Sequence, residues 1–142
     1  MPETISTISP SDARFMQGCE RFAAVTGFPA QAFFDGLAES SPDFGRYLIE
    51  WVFADVYGRD DLELKTRELV IIAAGAALGA TGIDVIKFHV PNALRAGARR
   101  AEIFGTLIQV AIVAGIPTAL AAITTAAQVM PKADTTADGA NA

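Results

Sequence analysis

Residues 103–130 contain no Asp, Glu, Lys or Arg, and an uncharged run of that length restricts a chain to few folds. It exceeds the roughly 20 residues that span a bilayer, so a membrane helix is one solution. Two features oppose it. The stretch is rich in Ala and Thr rather than Leu and Phe, whereas membrane insertion rewards large apolar side chains. Gly115-Ile116-Pro117 is also a stop-and-restart signal that divides the run into two shorter helices. Helices apolar all round suit the middle of an oligomer, so the expectation is a soluble homo-oligomer with no membrane contact.

The rest of the chain reads as helices too. Ser9, Pro10 and Asp12 mark a helix start, followed by an apolar stripe of Phe15, Met16, Cys19, Phe22 and Ala23 that ends near Gly27. A short helix bears Phe33, Phe34 and Leu37. A third opens at Ser41-Pro42-Asp43 and carries Phe44, Leu48, Trp51 and Val52 at helical spacing. Phe15, Phe22, Phe33, Phe34 and Trp51 are expected in the core. The fourth helix runs through Leu64, Lys65, Arg67 and Glu68 into an apolar half without a polar face, stopping near Gly79. Gly79-Ala80-Thr81-Gly82 makes a turn into a fifth helix with Ile83, Val85, Ile86, His89 and Leu94, in which Pro91 predicts a kink. Two more helices start near Arg99 and Pro117. No period-2 run with turn signals occurs, so the fold class is all-α, a bundle of about six to seven helices. A single domain is expected over residues 9–130, with loose ends at 1–8 and 131–142, which are polar and start no periodic pattern.

Composition excludes several functions. With 11 Lys+Arg against 16 Asp+Glu and no basic run, the chain has no electrostatic footprint for nucleic acid. Cys19 is the only cysteine, so a redox Cys-x-x-Cys and a thiolate-rich metal site are excluded within one chain. The first residues have neither the basic start nor the apolar stretch of a secretory signal, and a cytoplasmic location is expected.

Most catalytic constellations fail on inventory. A single histidine rules out a histidine-rich zinc site, Cys19 lies on an apolar face as a small hydrophobe, and no phosphate-binding glycine loop occurs. Neither a metal nor a cofactor is expected. What remains polar beside apolar sequence is Arg59, Lys65, Arg67, Glu68, Lys87, His89 and Gln109. Helices four and five should form an antiparallel hairpin. Counted from Leu78 and Ile83, Glu68 and His89 then differ in level by ~6 Å, about one turn, close enough to share a pocket without necessarily touching. A carboxylate beside an imidazole favours protonation and fixes the tautomer, as a proton-transfer site near neutral pH requires. Bland alternatives stand beside this. A lone histidine on an apolar helix is more often a satisfied core residue. Glu68 could pair with Lys65 or favour the helix dipole, Arg59 and Arg67 could be solvated charges, and Gln109 could knit two helices.

The ordered motifs Val56-Tyr57-Gly58-Arg59, Leu64-Lys65-Thr66-Arg67-Glu68-Leu69-Val70, Ala77-Leu78-Gly79, Lys87-Phe88-His89, Ala93-Leu94-Arg95-Ala96-Gly97 and Ala111-Ile112-Val113-Ala114-Gly115-Ile116-Pro117 cover about half the chain. Together they resemble the carboxymuconolactone decarboxylase family, which shares the alkylhydroperoxidase D-like fold. The resemblance implies an all-α bundle assembling as a trimer or hexamer. Peroxidase-like relatives carry a Cys-x-x-Cys ahead of the histidine, at the places of Gly82 and Val85, so disulfide-based peroxide chemistry is not expected. The decarboxylase-like branch is the closer pattern. It implies cofactor-free loss of a carboxylate from a small carboxylated lactone or enolisable acid, the lactone carbonyl serving as electron sink. His89 would be the proton donor, Glu68 its orienter or partner acid, and Arg59 or Arg67 the carboxylate clamp, with Gln109 also substrate-binding. Three departures reshape the pocket: a longer stretch between Gly79 and His89, Pro91-Asn92 in place of a basic-Gly pair, and Val113 where tyrosine is common. A non-catalytic helical oligomer binding an apolar small molecule or a partner protein is the alternative.

Overall fold

In the computed structural model, which describes residues 10–132, the uncharged run divides at Gly115. Its backbone there (φ 91°, ψ 157°) is one that a Cβ would strain, and it separates a helix over Arg100–Ala114 from one over Ile116–Val129. Among the described residues there are seven α-helices and no strand: α1 Pro10–Thr26, α2 Ala30–Leu37, α3 Pro42–Tyr47, α4 Leu64–Ala77, α5 Ile83–Arg95, α6 Arg100–Ala114 and α7 Ile116–Val129. A π-helical segment, Leu48–Val56, continues α3, and a 3₁₀ turn, Gly79–Gly82, joins α4 to α5. The capping role of Ser9 and the loose ends, apart from residues 131 and 132, lie outside the described residues. The chain divides into two compact units, residues 1–64 and 65–142.

The first unit is built on α1 and the π-helical segment. Gly18 lets the two backbones touch, since a Cβ there would stand 2.4 Å from Ile49 O. Phe22 packs edge-on to Phe53 with centroids 4.9 Å apart, and Phe53 stacks on Tyr57 at 4.9 Å. Glu50 is buried because two guanidinium groups reach it, Arg46 at 2.7 Å and Arg14 at 3.3 Å. The π winding carries a correction. Tyr57 N–H donates to Val52 O, five residues back, at 2.8 Å, and Arg21 donates to Phe53 O and Ala54 O at 2.8 and 2.9 Å. Wider winding turns each residue through less than the 100° of an α-helix. The buried stripe is therefore Ile49, Phe53 and Tyr57 rather than Phe44, Leu48 and Trp51, and Trp51, expected in the core, is 64% exposed. Phe22 is buried as expected, whereas Phe15, Phe33 and Phe34 are half-buried. Burial also pushes the Cys19 thiol above its ordinary pKa, in keeping with a small hydrophobe.

The second unit wraps α4, α5, α6 and α7 around one core. Ile72, Ile86, Val90, Ile103 and Leu107 are fully buried, each contributing about 1.5–3 kcal/mol of hydrophobic stabilisation. Small residues Ala76, Ala93, Ala122 and Ala126 fill the gaps between them. Pro91 stands inside α5 without ending it. At the start of α6, Glu102 accepts the Arg99 backbone N–H at 2.7 Å and pairs with Lys65 of α4 at 3.2 Å. Both hold the Glu102 carboxyl below its ordinary pKa, the backbone bond first. The outer faces stay apolar: Val70 on α4 and Leu78 just beyond its end, Ile108, Ile112 and Val113 on α6, and Ile116 and Leu120 on α7 are all more than half exposed. No helix among the described residues is long and apolar enough to cross a membrane.

Candidate active site

The corner between α4 and α5 is closed by two glycines. A Cβ on Gly82 would stand 1.7 Å from Gly75 O, and one on Gly75 would stand 2.6 Å from Val85 Cγ1, so only hydrogens allow this approach. From that corner Glu68 lies seven residues back along α4 and His89 seven forward along α5, about two helical turns each. The two side chains meet at one level. His89 Nδ1 is 2.7 Å from Glu68 Oε2. The turn of offset counted from Leu78 and Ile83 disappears because the hairpin closes at Gly75 opposite Gly82, three residues before Leu78 and one before Ile83.

Burial is unequal across the pair. The Glu68 side chain is fully buried and that of His89 is 14% exposed. An isolated carboxylate is costly in such a place, and the imidazole bond offsets part of that cost. With Glu68 ionised its carboxylate accepts and Nδ1–H donates, so the tautomer leaves Nε2 as the nitrogen able to exchange a proton. Phe88 stands edge-on to the His89 ring with centroids 5.0 Å apart and restricts its rotation. Lys65 is committed to Glu102, which removes the alternative of a Lys65–Glu68 pair.

The other candidates are placed as follows. Arg67 is buried, 7% exposed, on α4. Arg59 belongs to the first unit; its side chain is exposed and its Nε donates to Asp61 at 2.7 Å, an arrangement that favours the guanidinium further. Gln109 lines a cavity of about 450 Å³ with Ala73, Ala74, Ala77, Thr106, Val110 and Val113, a wall that includes neither Glu68 nor His89. Val85, His89 and Asn92 follow one another at i, i+4 and i+7 on α5, and Val85 faces α4 at Gly75. Asn92 is 3% exposed, and its amide nitrogen has no hydrogen-bond partner in the protein. Its sequence drew notice only as a departure from the family pattern; the spacing from His89 was the signal available. Among the described residues no three His, Cys, Asp or Glu side chains gather as metal ligands.

Fold and site together define an all-α protein with a buried carboxylate–imidazole pair at a hairpin corner and no thiol at Gly82 or Val85. Residues 42–128 match the carboxymuconolactone decarboxylase family, and the chain belongs to that family. It is 31% identical over 108 residues to a 15.0 kDa uncharacterized protein of the nqo9–nqo10 intergenic region of Paracoccus denitrificans, covering 75% of this chain and 81% of the relative. It is also 27% identical over 119 residues to 4-carboxymuconolactone decarboxylase of Acinetobacter baylyi, covering 83% of this chain and 87% of the relative.

Proposed function

We propose that this chain is a cofactor-independent decarboxylase, or a related proton-transfer lyase or isomerase, acting on a small carboxylated lactone or enolisable acid. The observation that carries this reading is the 2.7 Å contact between His89 Nδ1 and a fully buried Glu68. Likeness to a named decarboxylase adds to it. In the proposed reaction the bond to the departing carboxylate breaks, and its electron pair flows through a C=C into the lactone carbonyl, giving an enolate. His89 Nε2–H then protonates carbon, the carbonyl re-forms, and His89 regains a proton from solvent. Glu68 keeps the ring oriented through Nδ1. Arg67, or Arg59, binds the substrate carboxylate, and Gln109 contacts the substrate.

The exposed apolar faces of α4, α6 and α7 support a homo-oligomer, a trimer or hexamer on the family pattern. A lone, unpaired cysteine suits a cytoplasmic location. The second reading, a binding protein without chemistry, draws on the apolar cavity walled by Ala73, Ala77, Val110 and Val113.

The deciding experiment incubates purified protein, without added metal or cofactor, with carboxylated unsaturated lactones and β-keto acids while CO2 is followed beside a His89→Ala control. Release that vanishes in the control is the expected result. Silence from a correctly assembled protein across the panel would move the function to isomerisation or binding.

A further inference from the structure

A buried amide with unpaired hydrogens is unfavourable for folding, because it has left water and gained no acceptor. Asn92 is in that position one turn beyond His89, on the stripe of α5 that begins with Val85 against Gly75. Residues three apart on a helix have neighbouring Cβ atoms, so the Asn92 side chain stands next to that of His89 on this face of α5. Apart from this nitrogen, no buried side-chain polar atom of the described residues lacks a partner. An orphaned donor beside a proton-exchanging imidazole fits a site completed by a ligand that brings an oxygen acceptor.

We propose that the Asn92 side-chain amide donates a hydrogen bond to the substrate's carbonyl oxygen as it becomes an enolate. This rests on the decarboxylase reading above and extends it by naming the group that stabilises the developing charge. A neutral amide suits that oxygen better than it suits the carboxylate. Carboxylate recognition calls for a cation such as Arg67, whereas charge that appears only during reaction is best met by a fixed dipole already in place. The division of labour then follows: Asn92 binds the oxygen on which the electron pair left behind by departing carbon dioxide collects, and His89 delivers the proton with which that pair forms the new C–H bond.

The test uses the full chain and a saturated γ-lactone carrying a carboxylate on its γ carbon. That probe lacks the C=C needed for electron flow and binds without reacting. In nitrogen-resolved NMR, the expected result is that the Asn92 side-chain amide and the His89 ring both shift on titration. Asn92→Ala should lose roughly 100-fold in kcat on the unsaturated substrate, with Asn92→Ser recovering part of the loss through its hydroxyl. Asn92→Ala should melt no lower than the parent, because an unpaired donor has been removed. If the probe shifts His89 but not Asn92, or if Asn92→Ala keeps its kcat while its melting temperature falls, the amide is structural and the proposal fails while the decarboxylase reading stands. If the probe shifts neither residue, the lactone reading fails and takes this assignment with it. Should Asn92→Ala not fold, the parent titration decides alone.

Discussion

His89 Nδ1 rests 2.7 Å from an Oε2 of Glu68 that no solvent reaches, so the imidazole is the open end of a pair whose other end is sealed in the protein. Proton traffic can enter only through the ring. Glu68→Gln keeps an oxygen acceptor for Nδ1–H but replaces a charge-assisted hydrogen bond by a weaker neutral one and adds a competing donor at the ring. It should lower turnover by about 10²- to 10⁴-fold, as should His89→Ala, with the assembled fold retained. Rates of CO2 release, read beside circular dichroism, check both.

Gly82→Ala should destabilise the protein by about 1–3 kcal/mol or more, since the new methyl meets a backbone oxygen rather than a side chain that could swing away. Thermal unfolding measures it. A melting temperature equal to the parent's would show that the corner is not as tight as its geometry requires.

Acid should erase the contribution of Glu102. Its folded pKa lies below the ordinary 4.5, mainly through the Arg99 N–H and then Lys65. Stability from this group is thus present above the ordinary value and disappears as pH falls through the lower folded one. Glu102→Gln should melt below the parent at pH 7, and the gap should narrow as both are titrated into acid.

Val113→Asp should reduce the particle mass measured by light scattering without loss of helicity. The side chain is 89% exposed, so the charge is harmless to the isolated chain and costly only where a second copy covers it. An unchanged mass would exclude this face from the assembly.

Helix boundaries were legible because they depend on local chemistry: Gly115 before Pro117, Pro42 after Ser41, glycines in the 79–82 turn. The Glu68–His89 neighbourhood was legible to within one helical turn from the rise per residue. Direct contact was not, because the register of the hairpin depends on Gly75 and Gly82 touching, a relation between backbones that has no pattern in either segment alone. Trp51 misled for a similar reason: a 3.6-residue stripe presumes α winding, and the π winding from Leu48 turns Trp51 outward. Asn92 offered only its spacing from His89, because an unpaired donor is defined by its surroundings, not by its type.

The glycine corner sets two chemistries against each other. A Cys-x-x-Cys ahead of the histidine would put a sulfur where Gly82 stands, yet the approach that levels Glu68 with His89 here leaves no room there for even a methyl group. Placing thiols at Gly82 and Val85 would wedge the hairpin apart before any disulfide formed. The backbone of this corner thus excludes a dithiol ahead of His89, and admitting one would require the hairpin to be rebuilt first.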